Sequence, residues 1–190
     1  MKVTELSVPG VMMIEPKVFG DTRGFFLELY QRERYEAHGI GIGGFVQDNL
    51  SHSRRDVLRG LHVQNPSPQG KLVSVLAGEV YDVAVDIRRD SPTFGAWASC
   101  ILSAENHRQL WIPPGLAHGF LVTSEEALFS YKCTAPYHPE AELVIRWDDP
   151  DIGVAWPLRG APTLSARDIN GVALKDVPPE RLSLFNPSRK

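Results

Sequence analysis

The sequence has 190 residues and a mass of 21.1 kDa, which fits a single domain with its own hydrophobic core. Hydrophobic residues make up 43% and charged residues 23%, so the composition excludes a disordered chain. The net charge of −3 argues against a general nucleic-acid-binding protein. No apolar run approaches the roughly 18 residues of a membrane span, and the first ten residues lack the apolar stretch of a signal peptide. We therefore expect a soluble, cytoplasmic protein.

The N-terminal third combines one apolar stretch with polar segments. Residues 11–14 are typical of a strand, and YQRERYEAHG predicts a short helix that ends at Gly39. The segment GIGIGGF that follows has neither a GK[ST] ending nor GxGxxG spacing. We interpret it as a flexible turn and not as a phosphate-binding loop.

From Phe45 to Trp147 the chain consists of short segments rich in β-branched and aromatic residues. Turn residues separate them, and no segment of helical period lies between them, which argues against parallel βαβ units. This pattern predicts an all-β jelly-roll sandwich or barrel with few short helices. The tail after Trp156 is Pro-rich, with a helical candidate near Pro179–Leu184. The predicted strands lie in FVQDNLSHS, VLRGLHV, KLVSVLAGEVYDVAVDI, AWASCILS, RQLWIPP, AHGFLVTS, ALFSYKCT and ELVIRW.

The chain contains no internal repeat, low-complexity tract or linker, so we expect one domain over residues 1–190 with its jelly-roll core at about 45–147. The two cysteines, Cys100 and Cys133, lie in apolar segments without CxxC spacing. Buried free thiols are a simpler interpretation of both than a disulfide or a metal site.

Two of the six histidines stand out from the rest. His62 in LRGLHVQ and His118 in PPGLAHGFL lie in strands with apolar neighbours and a nearby glycine. Each could be a hydrogen-bonded core histidine, but two such sites in one small β domain favour function. The other four stand in polar segments: His38, His52, His107 and His138.

The histidine spacing invites comparison with the cupins, small β-barrels that often hold a metal. Their PxGxxH element is present and ends at His118, but their HxH element is not, since Gln64 replaces its second histidine. A tight divalent site needs three or more ligands from His and carboxylate groups. The sequence therefore predicts no metal.

Without a metal, the natural role of His62 is proton transfer near neutral pH. Asp168 in LSARDIN is a candidate to orient it, although the sequence alone does not bring the two together. Tyr131 shares a strand face with apolar residues, so it is either a core tyrosine or a general acid. Lys71 begins an apolar strand and either reaches solvent or places positive charge in a cleft.

Several arginines are available to bind an anionic ligand such as a phosphate. Arg59 and His62 are three residues apart and would face opposite ways on a straight strand, but Gly60 allows a bend. A polar triplet and Glu28 suit hydrogen bonds to a base or sugar, or a plain strand edge. The arginines are Arg23, Arg54, Arg55, Arg59 and Arg167, and the triplet is Gln47, Asp48 and Asn49.

Nine blocks in order are similar to those of the dTDP-4-dehydrorhamnose 3,5-epimerase family, from about residue 2 to residue 185. A PxGxxHGF element alone would be weak evidence, whereas nine ordered blocks are very specific. The blocks are DTRGFF, VQDNLSHS, VLRGLHVQ, QGKLVSVLAGEVYDVAVDIR, SPTFGAW, QLWIPPGLAHGF, YKCT, WDDPDIGVAWP and LSARD.

The resemblance implies a metal-free, cupin-like jelly roll that needs no cofactor and forms a homodimer, in which the partner's N-terminal segment helps to close the active site. The substrate implied is dTDP-4-dehydro-6-deoxy-D-glucose, inverted at C3 and C5. By resemblance, His62 is the proton acceptor oriented by Asp168, Lys71 stabilises charge on O4, and Tyr131 delivers a proton to the opposite face.

The resemblance also implies which residues contact the substrate. Arg167 stands where lysine is frequent in the family, and Ala135-Pro136 replace residues expected to be acidic or aromatic. Tyr137 matches an aromatic residue that stacks on thymine. Phosphate contacts are expected from Arg23, Arg59 and Arg167, and further contacts from Glu28, Gln47, Asp48, Asn49, His118 and Glu142.

Three alternatives differ from a double epimerase. An epimerase that inverts only C3 or only C5 could have identical catalytic residues. A metal-dependent cupin enzyme is opposed by Gln64 in place of the second histidine. A silent sugar-nucleotide-binding module would have lost its base, acid or orienting carboxylate, and all three are present.

Overall fold

Two antiparallel β-sheets packed face to face form the body of the molecule in a computed structural model, which describes residues 1–186. Most of the 13 strands of the described chain belong to these two sheets. This arrangement confirms the predicted all-β fold of the jelly-roll kind. The strands are β1 (Lys2–Glu5), β2 (Met12–Glu15), β3 (Val18–Asp21), β4 (Gly24–Leu27), β5 (Gln47–Arg54), β6 (Leu58–Gln64), β7 (Lys71–Ala77), β8 (Glu79–Val85), β9 (Trp97–Ser103), β10 (Gln109–Ile112), β11 (Ala117–Val122), β12 (Glu126–Cys133) and β13 (Glu142–Val144).

One sheet has six strands in the order β1-β2-β10-β7-β12-β5, and the other has five in the order β13-β6-β11-β8-β9. Strands β3 and β4 form a separate hairpin. Because β1 and β2 pair with each other and with β10, the N-terminal residues extend the first sheet. Each segment predicted as a strand between residues 45 and 147 contains at least one, and the AG turn divides the longest segment into β7 and β8.

The helices are short and pack outside the two sheets. The predicted helix before Gly39 is present as α1 (Arg32–Glu36), with the Gln31 side chain capping its first turn. The tail contains α2 (Ala166–Ile169), which the sequence analysis missed, because a four-residue helix shows no amphipathic period. Three 3₁₀ turns complete the set: Pro139–Ala141, Leu174–Asp176 and Pro179–Arg181, the last within the predicted helical candidate.

The main core lies between the two sheets and is built from side chains of both, such as Val73 and Phe129 on one sheet and Val80 and Phe120 on the other. Two further apolar clusters lie on the outer faces. The C-terminal tail covers the five-stranded sheet, and α1 with the loop after it covers the six-stranded sheet.

The tail is held in place beside β6 by backbone bridges on both sides of α2. Val57 pairs with Thr163 before the helix, and Ile145 pairs with Val172 after it. A helix of one turn has little stability of its own. These two bridges therefore fix where α2 presents its side chains.

A bulge in β6 determines which of its side chains face the interior. His118 pairs with His62, whereas Phe120 pairs with Arg59, so two steps on β11 oppose three on β6. Gly60 lies between them with φ +135°, and a Cβ atom there would lie 2.6 Å from the backbone of β11. The predicted bend at Gly60 is therefore present.

Other sequence predictions concern the membrane and the thiols. No helix within residues 1–186 is long and apolar enough to cross a membrane. Cys100 and Cys133 are both buried free thiols, as expected.

Candidate active site

A cavity of about 290 Å³ opens between the two sheets and collects most of the side chains predicted to be functional. The five-stranded sheet contributes side chains to one wall and the six-stranded sheet to the other. The lining residues are Gln47, Asn49, Ser51, Arg59, His62, Gln69, Lys71, His118, Phe120, Phe129, Tyr131, Tyr137 and Glu142.

His62 and Asp168 meet although they are 106 residues apart in the sequence. His62 Nε2 lies 2.6 Å from Asp168 Oδ1, which also accepts a hydrogen bond from the Gly60 backbone N–H at 3.3 Å. The other oxygen, Oδ2, accepts a hydrogen bond from the Ser165 hydroxyl at 2.6 Å. Because Nε2 of His62 is bound to Asp168, Nδ1 is the imidazole nitrogen that can accept a proton from a ligand.

The carboxyl group of Asp168 is buried yet remains ionised. Burial alone would raise its pKa, but hydrogen bonds from His62 and Ser165 outweigh burial and hold the pKa of Asp168 below its ordinary value. A carboxylate bound to Nε2 stabilises the protonated form of the imidazole. The pair therefore has the arrangement of a base and its orienting group.

Tyr131 projects from β12 in the opposite sheet, where its backbone pairs with Asn49 on one side and Val73 on the other. Burial is the main cause that raises the pKa of its phenol, and the nearby Arg59 only partly opposes it. The hydroxyl therefore keeps its proton at neutral pH. A protonated phenol across a cavity from a histidine can serve as a general acid.

Lys71 begins β7 at the wall that carries Tyr131. Burial lowers the pKa of its ammonium group, and the carboxylate of Glu142 partly opposes this effect. Within residues 1–186, Lys71 forms neither an ion pair nor a side-chain hydrogen bond. A poorly hydrated, unpaired cation in a cavity is suited to stabilising negative charge on a bound oxygen.

His118 forms a second histidine–carboxylate pair, with a residue that the sequence analysis missed. Its Nε2 lies 3.0 Å from both carboxylate oxygens of Asp82, and both side chains are buried. Burial lowers the pKa of His118 despite the Asp82 charge. An aspartate inside the apolar strand EVYDVAV was the signal that could have revealed it, since an acid is rarely buried without a partner.

Three residues cluster at the mouth of the cavity. Arg167 Nη1 donates a hydrogen bond to the Tyr137 hydroxyl at 3.0 Å, and Arg167 also forms an ion pair with Glu142. The Tyr137 hydroxyl in turn donates to Glu142 Oε2 at 3.2 Å, and Gln47 accepts from the Tyr137 backbone. Tyr137 is 41% exposed, so part of its side chain is accessible to a ligand.

The loop before Tyr137 contains the Ala135-Pro136 substitution. The Ala135 carbonyl accepts a hydrogen bond from Gln69 at 2.9 Å, and the Pro136 carbonyl accepts one from Gln64 at 3.1 Å. These two bonds hold the loop against the mouth of the cavity. Tyr137 lines the cavity despite the replaced residues.

Arg59 enters the cavity beside two serines of β5. Its Nε donates to Ser53 Oγ at 3.1 Å, which orients the guanidinium and leaves other N–H groups for a ligand. Ser51 lines the same wall, and its buried hydroxyl oxygen has no hydrogen-bond partner among the described residues. Alternation along the strand could have identified Ser51, because it shares a face with Gln47 and Asn49.

Three predicted residues lie away from the cavity of their own chain. Arg23 lies at the turn of the β3–β4 hairpin and forms an ion pair with Asp21 at 2.5 Å. Glu28 pairs with Arg34, and Asp48 pairs with Lys132 on the opposite face of β5 from Gln47. Successive strand residues face opposite sides, so Asp48 points away from the face that Gln47 and Asn49 share.

The residues around the cavity do not form a metal-binding set. In residues 1–186, no group of three or more His, Cys, Asp and Glu side chains is arranged to hold an ion. Gln64 is bound to backbone, since its amide donates to Ser67 and Pro136 and accepts from His138. The amide is therefore not free to complete a ligand set.

Comparisons with known proteins identify the family. The family model described as dTDP-4-dehydrorhamnose 3,5-epimerase matches residues 5–176. A dTDP-4-dehydrorhamnose 3,5-epimerase from Pseudomonas aeruginosa is 56% identical over 177 residues, which cover 93% of this chain and 97% of that protein.

Solved structures give the same result. An epimerase from Legionella pneumophila, in complex with dTDP-4-keto-L-rhamnose, superposes with a TM-score of 0.93 at 50% identity and covers 97% of this chain and 98% of its own. A 3'-monoepimerase from Streptomyces bikiniensis, in complex with dTDP-quinovose, has a TM-score of 0.84 at 34% identity and covers 90% of this chain and 86% of its own. With its fold and cavity, this chain belongs to the dTDP-4-dehydrorhamnose 3,5-epimerase family.

Proposed function

We propose that this chain converts dTDP-4-dehydro-6-deoxy-D-glucose into dTDP-4-dehydro-L-rhamnose by inverting C3 and C5, a step of dTDP-L-rhamnose synthesis. The observation that carries the proposal is the 2.6 Å contact between His62 and Asp168 in a cavity that Tyr131 and Lys71 also line. Family membership supplies the substrate class, since a relative's structure contains a dTDP-4-keto sugar.

The base acts on protons next to the C4 ketone. Both C3–H and C5–H are α to that carbonyl, and loss of either proton gives an enolate whose charge rests on O4. Nδ1 of His62 accepts the proton, and the Asp168 carboxylate stabilises the imidazolium that forms. Since Asp168 stays ionised, this stabilisation is present across the neutral pH range.

Lys71 and Tyr131 complete the reaction. The Lys71 ammonium stabilises the developing negative charge on O4, and the low hydration of its surroundings strengthens this effect. Tyr131 delivers a proton to the carbon from the face opposite His62, which turns proton exchange into inversion. The two residues lie on opposing sheets, and this separation supports their opposite roles.

The remaining cavity residues bind the nucleotide and the sugar. Tyr137 stacks on the thymine ring with its exposed face, and Arg59 binds the diphosphate through N–H groups that Ser53 leaves free. Arg167 binds nearby at the mouth, held by Tyr137 and Glu142. Contacts to the substrate are also assigned to Gln47, Asn49, His118 and Glu142.

The protein acts as a homodimer in this proposal. The β3–β4 hairpin exposes apolar side chains: Phe19 is 52% exposed, Phe25 62% and Phe26 69%. A patch of this kind is expected to be covered by another protein surface. Arg23 and Glu28 lie in or beside this hairpin, so each would contact substrate in the partner's cavity. A cytoplasmic location is consistent with two free thiols.

Incubation with dTDP-4-dehydro-6-deoxy-D-glucose in D2O tests the proposed function. NMR should show deuterium at both C3 and C5, and a dTDP-4-dehydrorhamnose reductase with NADPH should trap the product as dTDP-L-rhamnose. Label at one carbon without rhamnose would identify a single-site epimerase, the alternative supported by the likeness to a 3'-monoepimerase. No exchange at either carbon would refute both.

A further inference from the structure

The Asp168 carboxylate is held by a serine of its own helix. Ser165 is the N-cap of α2, and its hydroxyl oxygen accepts a hydrogen bond from the Asp168 backbone N–H at 3.2 Å. The same hydroxyl donates to Asp168 Oδ2 at 2.6 Å. Ser165 thus binds the backbone and the carboxylate of one residue.

This arrangement differs from an ordinary capping box. In a capping box the acidic residue three positions after the N-cap turns back to the N-cap backbone N–H. Asp168 occupies that position, but its two oxygens bind elsewhere. Oδ1 accepts hydrogen bonds from the His62 ring and the Gly60 backbone N–H, and Oδ2 accepts one from the Ser165 hydroxyl.

The two oxygens restrain the carboxylate in different ways. Rotation about the terminal torsion of an aspartate is soft, so contacts to one oxygen alone fix the plane of the group poorly. His62 and Gly60 both bind Oδ1, and Ser165 alone binds Oδ2. Loss of the Ser165 hydroxyl would release the plane of the carboxylate, and with it the direction of the His62 ring.

We propose that Ser165 is a positioning residue that fixes Asp168, and through it the His62 base, for proton abstraction. The proposal deepens the proposed function and rests on it. Ser165 is not among the residues that line the cavity, so it acts through Asp168 and not on the substrate.

Helix α2 supplies an internal control for this proposal. Arg167 lies beside Asp168 on the same helical turn and contacts Tyr137 and Glu142 at the mouth of the cavity. Loosening of the whole helix would therefore weaken dTDP binding together with catalysis. Loss of carboxylate positioning alone would lower turnover and leave dTDP binding unchanged.

Three substitutions separate positioning from capping. Ser165→Ala removes both the cap and the hydroxyl, Ser165→Gly removes the hydroxyl but caps almost as well as serine, and Ser165→Thr keeps both. We expect kcat for deuterium exchange to fall about tenfold in the Ala and Gly variants alike and to recover in the Thr variant. The dissociation constant for dTDP should change less than twofold in all three.

Two outcomes of these kinetic and binding measurements would overturn the proposal. One is a glycine variant with near-normal kcat, since activity would then follow the quality of the helix cap. The other is a parallel loss of dTDP affinity and kcat, which would indicate that the whole of α2 has lost its position beside β6.

A second measurement does not depend on turnover. The Nε2 proton of His62 should give a downfield ¹H resonance in the wild-type protein, because it lies in a short bond to a carboxylate. This resonance should shift or broaden in the Ala and Gly variants and persist in the Thr variant. An unchanged resonance in all three would refute positioning, whereas a wild-type protein without exchange activity would refute the proposed function alone.

Discussion

The two histidine–aspartate pairs contain the same residue types and lie next to each other, yet their surroundings differ. The His62 side chain is 29% exposed to the cavity, whereas that of His118 is 8% exposed. Asp168 comes from a distant helix and uses one oxygen for the histidine, but Asp82 lies on the adjacent strand β8 and presents both.

Both histidines line the cavity and both pair with a carboxylate, so the degree of burial is what distinguishes them. Burial lowers the pKa of His118, so its ring resists protonation and suits a fixed, neutral hydrogen-bonding role. Under the proposed function, His62 is the base and His118 positions substrate. The predictions below test this division of roles.

The largest effect is expected when the base is removed. His62→Ala should lower kcat for epimerisation about a thousandfold, the range for loss of a general base, and should leave dTDP affinity nearly unchanged. His118→Ala should lower kcat much less and should raise KM. Steady-state kinetics with coupled NADPH oxidation measures both, and near-normal turnover in His62→Ala would show that another group is the base.

The carboxylates provide the next comparison. Asp168→Asn should lower kcat about a hundredfold, because a neutral amide neither stabilises the imidazolium nor fixes its tautomer. Asp82→Asn should cost less than tenfold, since the His118 ring stays neutral in its role. Equal losses in the two variants would indicate that both pairs transfer protons and would end the distinction between them.

Substitution of Tyr131 tests whether His62 can remove a proton without the acid on the opposite wall of the cavity. Tyr131→Phe should lower the yield of inverted product about a hundredfold and retain deuterium exchange from one face. NMR in D2O reads exchange and inversion in the same sample. Unchanged product yield would assign the acid role to another group or to water.

The strands and the candidate base were predictable from the sequence because their signals are local. Alternating apolar residues mark the strands, and the environment of His62 distinguishes it from the four histidines in polar segments. The meeting of His62 with Asp168 was not predictable from spacing, since it depends on backbone bridges that hold a one-turn helix beside β6. The sequence offered Asp168 only as a candidate, and the family resemblance implied the pairing.

Other features escaped for similar physical reasons. Asp82 pairs with His118 across neighbouring strands, and the register of β8 against β11 is a tertiary property. Asp48 faces away from the cavity and pairs with Lys132, because a strand turns every second side chain to its opposite side. Under the proposed function, the role of Arg23 depends on a second copy of the chain, and the sequence analysis offered the dimer only as an implication of the resemblance.

The smallest predicted effect concerns the stability of the buried pair. Burial lowers the pKa of His118 in the folded state, so below the ordinary value of about 6.5 the unfolded chain binds a proton that the folded chain excludes. This contribution to the free energy of unfolding is present above pH 6.5 and declines by at most about 1.4 kcal/mol per pH unit below it, until the folded-state pKa is reached. Urea unfolding of the wild-type protein and of His118→Gln at pH 7.5, 6.0 and 5.0 measures it, and the variant should show the weaker pH dependence. Identical slopes would mean that burial does not keep the His118 ring from taking up a proton in the folded protein.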